Sequence, residues 1–97
     1  MIKSFADDGT EDIYRGRDTR AARQTCPRIL WPAALRRLER IDEAKQVTDL
    51  QVPPGNRLEK LKGDYIGYHS IRINDQYRIR FWFSEGGATE VQILDYH

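Results

Sequence analysis

Arg72, Arg78 and Arg80 are the residues whose type and spacing most directly suggest chemistry. They interleave with apolar residues: Ile71 and Ile73 alternate in one run, and Tyr77, Ile79, Phe81 and Phe83 in the next. That period of two is the signature of half-buried strands, with one side on a core and the arginines on the other. A guanidinium grips phosphate through paired N–H bonds and stacks on bases, so the arginine side presents a row of groups suited to a polyanion rather than a neutral solvent face. Asp95, Tyr96 and His97 close the chain beyond the last core-facing position. Such residues add little to packing, so they are either a solvated end or part of a site. Lys62, in a Lys-Gly-Asp turn, reads by default as a solvated loop residue. Arg78, central in its strand, needs a partner. His69 shares the inward parity of Ile71 and Ile73 and reads as a structural, hydrogen-bonded histidine. Cys26 has no second cysteine, and His69 and His97 are the two histidines, so no metal-ligand spacing is present and neither metal nor cofactor is expected.

The elements that must position these groups follow from the rest of the chain. Asn74, Asp75 and Gln76 form a polar break between the two alternating runs, rich in residues that tolerate positive φ, as a tight hairpin requires. A third strand is expected at 90–96, after a turn marked by Gly86 and Gly87, with Val91 and Ile93 inward and Gln92, Leu94 and Tyr96 on the other side. Ile2 to Phe5 suits a short strand at the sheet edge. Asp7 to Tyr14 has acids early and Gly16 just beyond, the order of a short helix with a glycine stop. Residues 16–25 are polar and aperiodic and read as a loop or turn. From Pro27 to Ala44, Leu30, Ala34, Leu38 and Ile41 follow helical spacing, with the helix either beginning near Pro32 or kinking there. Arg36, Arg37 and Arg40 then fall on its outer face, where pairing with Glu39 and Glu43 makes a solvated, salt-laced surface. Val52-Pro53-Pro54-Gly55-Asn56 separates this helical half from the strands, and Arg57 to Lys60 should enter the sheet.

Length and composition set the limits. At 97 residues the chain is expected to be one domain, 1–97, burying roughly 60 to 65% of the surface its unfolded form exposes. No apolar run approaches a membrane-spanning length, and the Met1-Ile2-Lys3-Ser4-Phe5 opening lacks the apolar region of a signal peptide, so a cytoplasmic protein is expected. A net charge of +1 argues against nucleic-acid binding by bulk basicity, yet 12 of the 16 cationic residues are Arg. Asp7, Asp8, Glu11 and Asp12 cluster near the start, so a near-zero total can hide a basic patch on one side.

Taken together, the opening MIKSF, the Leu61-Lys62-Gly63-Asp64 turn, the Gly67-Tyr68-His69-Ser70-Ile71 and Gln76-Tyr77-Arg78-Ile79 strands and the closing Asp95-Tyr96-His97 make the chain similar to the HigB branch of the RelE/ParE toxin superfamily over nearly its whole length. The resemblance implies an α+β fold, two N-terminal helices packed on a twisted, mainly antiparallel sheet. It implies a toxin that enters the A site of the 70S ribosome and cuts mRNA there without a metal. It also implies a HigA-like cognate antitoxin, with operator DNA reached only through that antitoxin. Carried over by position, Lys62, Arg78, Asp95, Tyr96 and His97 match residues used for cleavage, and Arg72, Arg80 and Gln76 are expected to contact RNA. Glu59 and Gln76 stand where some members carry His and Asn, and an acid at 59 repels phosphate. The alternative is a binding module of the same fold that grips RNA, DNA or protein without cutting, as a ParE-like gyrase poison or an inactive homologue does.

Overall fold

In the computed structural model, which describes residues 1–96, the alternating runs form the centre of an antiparallel sheet in the order β1-β2-β3-β4: β1 (Glu59–Lys60), β2 (Tyr68–Arg72), β3 (Tyr77–Ser84) and β4 (Gly87–Asp95). The register sets Ile71 against Ile79 and Ile79 against Ile93, so one face is continuous hydrocarbon; Ile71, Ile79, Phe81 and Val91 are all completely buried. Register also places Arg72 and Leu94 on either side of Arg78, and Ser70 and Gln92 on either side of Arg80, which puts both arginines on the opposite face.

Two local devices differ from the sequence expectation. The 73–76 connection contains no positive φ; Asn74 Oδ1 accepts the N–H groups of Gln76 (2.9 Å) and Tyr77 (2.8 Å), so a side chain imitates the backbone of a turn. β4 begins at Gly87 rather than 90, because Glu85 and Gly86 alone close the hairpin. A bulge at Glu90 (φ 55) then shifts the register between Arg80 and Trp82. The extra residue lets Ala88 and Val91, three apart, both face the core. Gly87 has φ 138, and a Cβ there would lie 1.9 Å from the Met1 carbonyl oxygen. That closeness lets the chain start run parallel to β4 through isolated bridges at Ile2–Ala88 and Phe5–Val91, on the expected sheet edge.

The core face is covered by three helices rather than the expected two: α1 (Asp8–Tyr14), α2 (Arg20–Thr25) and α3 (Trp31–Glu43). Asp7 caps α1 by accepting the Thr10 N–H, and Gly16 (φ 75) follows its end. α2 lies in the stretch read as a loop. Thr19 caps it, but its six residues bury only Ala22, too little for a periodic signal. It packs so closely on α1 that a Cβ on Gly9 would sit 2.5 Å from the Ala21 carbonyl oxygen. α3 begins where Pro32 fits, in the first turn, after a 3₁₀ turn at Arg28–Leu30. Its Ala34, Leu38 and Ile41 are fully buried. The arginines of α3 do not form the expected pairs with Glu39 and Glu43 among the described residues. Arg37 Nε donates to the Arg72 carbonyl (3.1 Å) and Arg40 Nη2 to that of Val52 (2.7 Å), tying the helix to the loops beside it. Cys26 is buried, which pushes its thiol up to about 11. Among the described residues no helix is long and apolar enough to cross a membrane.

Candidate functional site

The face of the sheet away from the helices is partly roofed by the segment between the Pro-rich breaker and β2. Arg57 adopts a left-handed conformation (φ 47), which turns its carbonyl over the sheet. That carbonyl accepts from Arg78 Nη2 (2.6 Å), while Arg78 Nε donates to Ser70 Oγ (2.9 Å) and Nη2 also to the Ser70 carbonyl (3.3 Å). Arg78 is thus only 8% exposed, and its Nη1 is the nitrogen left without an acceptor among the described residues. The central-strand arginine has found its partners, chiefly backbone, in β2 and the roof. Glu59 Oε1 lies 3.8 Å from Nη2, so the acid expected to repel phosphate does stand beside the guanidinium.

The expected open row of guanidiniums is therefore three differently held groups. Arg72 closes on Asp75. Arg80 Nη2 donates to Gln92 Oε1 (2.8 Å), which in turn donates through Nε2 to Asp7 (3.1 Å), and the Arg80 guanidinium lies 3.8 Å from the Tyr65 ring centroid. The difference arises because cations set side by side on a partly roofed sheet face repel one another and lose water, so each is paired with a carbonyl, carboxylate or ring.

Gln76 draws the end of β4 toward Arg78. Its carbonyl accepts the Tyr96 N–H (2.6 Å), and its Nε2 donates to Asp95 Oδ2 (3.0 Å). The Tyr96 ring consequently sits 5.9 Å from the Arg78 guanidinium carbon, with 44% of the residue still exposed. Gln76, Asp95 and Tyr96 are brought together, with the Tyr96 ring on the Arg78 side of the sheet and Asp95, paired with Tyr77, turned to the helix side. Lys62 is exposed and starts the 3₁₀ turn Gly63–Tyr65 that follows β1, with no contact to Arg78, Asp95 or Tyr96 among the described residues. His97 lies outside the described residues.

His69 points to the helix side, as its parity requires, and stacks on Phe81 (centroids 6.3 Å apart, planes at 21°). It is not the fully hydrogen-bonded histidine expected: its Nδ1 is buried without a partner among the described residues. Burial, then the charge of Lys60, holds its pKa below the usual value, so the neutral imidazole packs like an aromatic ring. Sequence reasoning missed Ser70 and Arg57 as supports of Arg78. Ser70 carried a faint signal, a small hydroxyl on the arginine side of its strand; the Arg57 carbonyl carried none. The Tyr65, Tyr68 and Trp82 cluster beside Arg80 was missed as well.

Chemically, the arrangement offers a buried cation with one nitrogen unpaired among the described residues, a strand end whose Tyr96 N–H and Asp95 carboxylate are both held by Gln76, and the exposed Tyr96 ring over the cation, on an open face rather than in a closed pocket. An open face suits a polymer better than a small molecule. A family model described as the RelE-like toxin of the type II toxin–antitoxin system HigB matches residues 3–97. The toxin HigB-1 of Vibrio cholerae is 39% identical over 97 residues, covering 100% of this chain and 98% of that protein. The endoribonuclease HigB of Proteus vulgaris is 35% identical over 98 residues, covering all of both chains. Among solved structures, the YoeB–YefM complex from Staphylococcus aureus aligns over 100% of this chain and 98% of that chain, with a TM-score of 0.62 at 18% identity. The YoeB/ParE toxin from Agrobacterium tumefaciens aligns with a TM-score of 0.52 at 21% identity over 98% and 99% of the two chains. These two likenesses speak to the fold.

Proposed function

Because the chain belongs to the HigB-like family, the RelE-like toxins of type II toxin–antitoxin systems, we propose that it is a single-domain endoribonuclease that cuts mRNA in the ribosomal A site, halts translation in the cytoplasm and is neutralised by a cognate antitoxin. The observation that carries this reading is Arg78: a buried guanidinium whose Nη1 has no acceptor among the described residues, beneath the half-exposed ring of Tyr96, whose N–H is held by Gln76. Support for nuclease chemistry also comes from the Proteus vulgaris relative, named as an endoribonuclease.

In the proposed reaction the 2′-OH of a nucleotide attacks the adjacent phosphorus, forming the O2′–P bond, and the P–O5′ bond breaks. Arg78, with Lys62 as a second cation, balances the charge that builds on the phosphate oxygens, which is how such a step proceeds without a metal. Tyr96 stacks against a splayed base. Asp95 and His97 orient the hydroxyl and move its proton and that of the leaving oxygen. The chain has little proton-transfer equipment of the paired-histidine kind, so positioning must supply much of the rate. Holding the 2′-OH in line is worth up to about 7 to 11 kcal/mol, and in this reading the decoding centre supplies that bend.

The test is one mRNA incubated with purified protein, free in one tube and threaded through a programmed ribosome with an open A site in the other. Cutting on the ribosome only is expected, and it should persist when EDTA-treated components are re-supplied only with the magnesium ribosomes need. Equal cutting in both tubes overturns ribosome dependence. The proximity of Glu59 to Arg78 favours one second reading, a non-cutting binder; cutting in neither tube with binding retained would establish it.

A further inference from the structure

We propose that Tyr65, Tyr68 and Trp82 form a base-stacking subsite for single-stranded RNA, continuous with the Arg78 site on the same face of the sheet; this rests on the nuclease reading above. Trp82 lies four residues beyond Arg78 on β3, opposite Tyr68 on β2, with Arg80 between them. At about 3.3 Å per strand residue that is roughly 13 Å, the rise of about four stacked nucleotides at 3.4 Å each. RNA whose phosphate meets Arg78 therefore passes Arg80 and reaches these rings.

The cluster is built for exposure rather than for the core. Trp82 is 41% and Tyr65 43% exposed, and neither belongs to the core cluster or packs against it. The rings hold one another edge to face: Tyr65 to Tyr68 at 5.7 Å and Tyr68 to Trp82 at 5.3 Å. Gly67, at φ 93, lets the indole lie directly on the backbone, since a Cβ there would come within 2.4 Å of it. A preorganised, half-exposed ring loses little entropy when a base stacks on it.

The chemistry between the rings selects the occupant. Arg80 stacks on Tyr65 at 3.8 Å and lies 5.8 Å from Tyr68, and its Nε is buried without an acceptor among the described residues. The Arg80 guanidinium keeps a cation against the rings, which an apolar protein surface laid over them would desolvate with nothing to offset it, whereas a nucleotide brings a π-face for the rings and a phosphate for the charge. Lys62, exposed at the start of the turn that carries Tyr65, adds cationic charge for a backbone of phosphates.

The experiment measures cleavage of a programmed ribosome's mRNA by the parent protein and by Trp82→Ala and Tyr65→Ala, with melting temperatures alongside. Each variant is expected to melt near the parent and to lose about 10- to 100-fold in kcat/KM, the cost of one lost stack, mostly through KM. In a Trp31→Phe background, where Trp82 is the sole indole, a 2′-O-methyl RNA oligomer that cannot be cut should quench its fluorescence, with quenching weakening as salt rises. If both variants fold and keep kcat/KM within twofold of an active parent, the subsite is overturned while the nuclease reading stands. An inactive parent that neither cuts nor is quenched overturns both. Quenching by RNA without any cutting by the parent supports the stacking surface and defeats the nuclease reading alone. Should Trp82→Ala fail to fold, Tyr65→Ala, placed in an exposed turn, decides the matter.

Discussion

Replacing Glu59 by Gln should make the protein a better ribonuclease. Glu59 Oε1 stands 3.8 Å from Arg78 Nη2, with 56% of its side chain exposed. A phosphate seated on Arg78 would lie on the order of 6 Å from that carboxylate, where two unit charges repel by about 0.7 kcal/mol at the dielectric of water and about 2.8 kcal/mol at an effective dielectric of 20. These bounds correspond to about 3-fold and 100-fold in kcat/KM. Exposure of Glu59 favours the low end, about 3- to 10-fold. Stability should hardly move, since Glu59 is the exposed partner of a pair held at 3.8 Å, a contact worth about 0 to 1 kcal/mol, and Arg78 keeps its three hydrogen bonds to Ser70 and Arg57. The assay is initial-rate cleavage on programmed ribosomes at several salt concentrations, with melting curves beside it. The gain should shrink as salt rises, because a Debye length of about 8 Å at 0.15 M is close to the separations involved. A loss of activity of 100-fold or more in a folded Glu59→Gln protein would refute the reasoning and make Glu59 a proton-transfer group instead of a repelling bystander.

Thr10→Val should cost about 1 to 3 kcal/mol, because Thr10 Oγ1 is the acceptor for the buried Ile93 N–H at 3.0 Å; a melting temperature within a degree or two of the parent's would contradict this. Deleting Tyr96 and His97 should remove cleavage while costing about 0.5 to 1.5 kcal/mol for the hydrogen bond from Tyr96 N to Gln76, and a truncated protein that melts normally and still cuts would take these residues out of the site. His69 should give the stability curve an acid limb. Its folded-state pKa is lowered below 6.5, so the unfolded chain takes up the proton first, and stability is full above 6.5 and lost as pH falls through the lowered value. His69→Phe keeps a ring against Phe81 and should remove the part of the melting-temperature loss that sets in as pH falls below 6.5; parallel pH profiles for the two proteins would show that His69 is not the titrating group.

The sequence by itself determined what repeats with a short period. Alternation from Ile71 to Phe83 assigned the core face of the sheet and placed Arg78 and Arg80 on the other, because strand parity is a local geometric fact that needs no knowledge of the partner strand. The helical spacing of Ala34, Leu38 and Ile41 was legible for the same reason, while Pro32 left a start or a kink open until the structure put it in the first turn of α3. α2 escaped, since six residues that bury one alanine carry no period, and only the tight approach at Gly9 makes it a helix worth forming. The site divides in the same way. That an arginine in a central strand must be paired follows from the cost of burying a charge, but the choice of the Arg57 carbonyl depends on a left-handed residue more than twenty positions away in the chain. Likewise Gln76, Asp95 and Tyr96 are joined by a bond between a turn and a strand end. Tertiary structure alone decides such contacts, because they depend on where the backbone brings distant carbonyls and rings, and neither residue type nor spacing encodes that position.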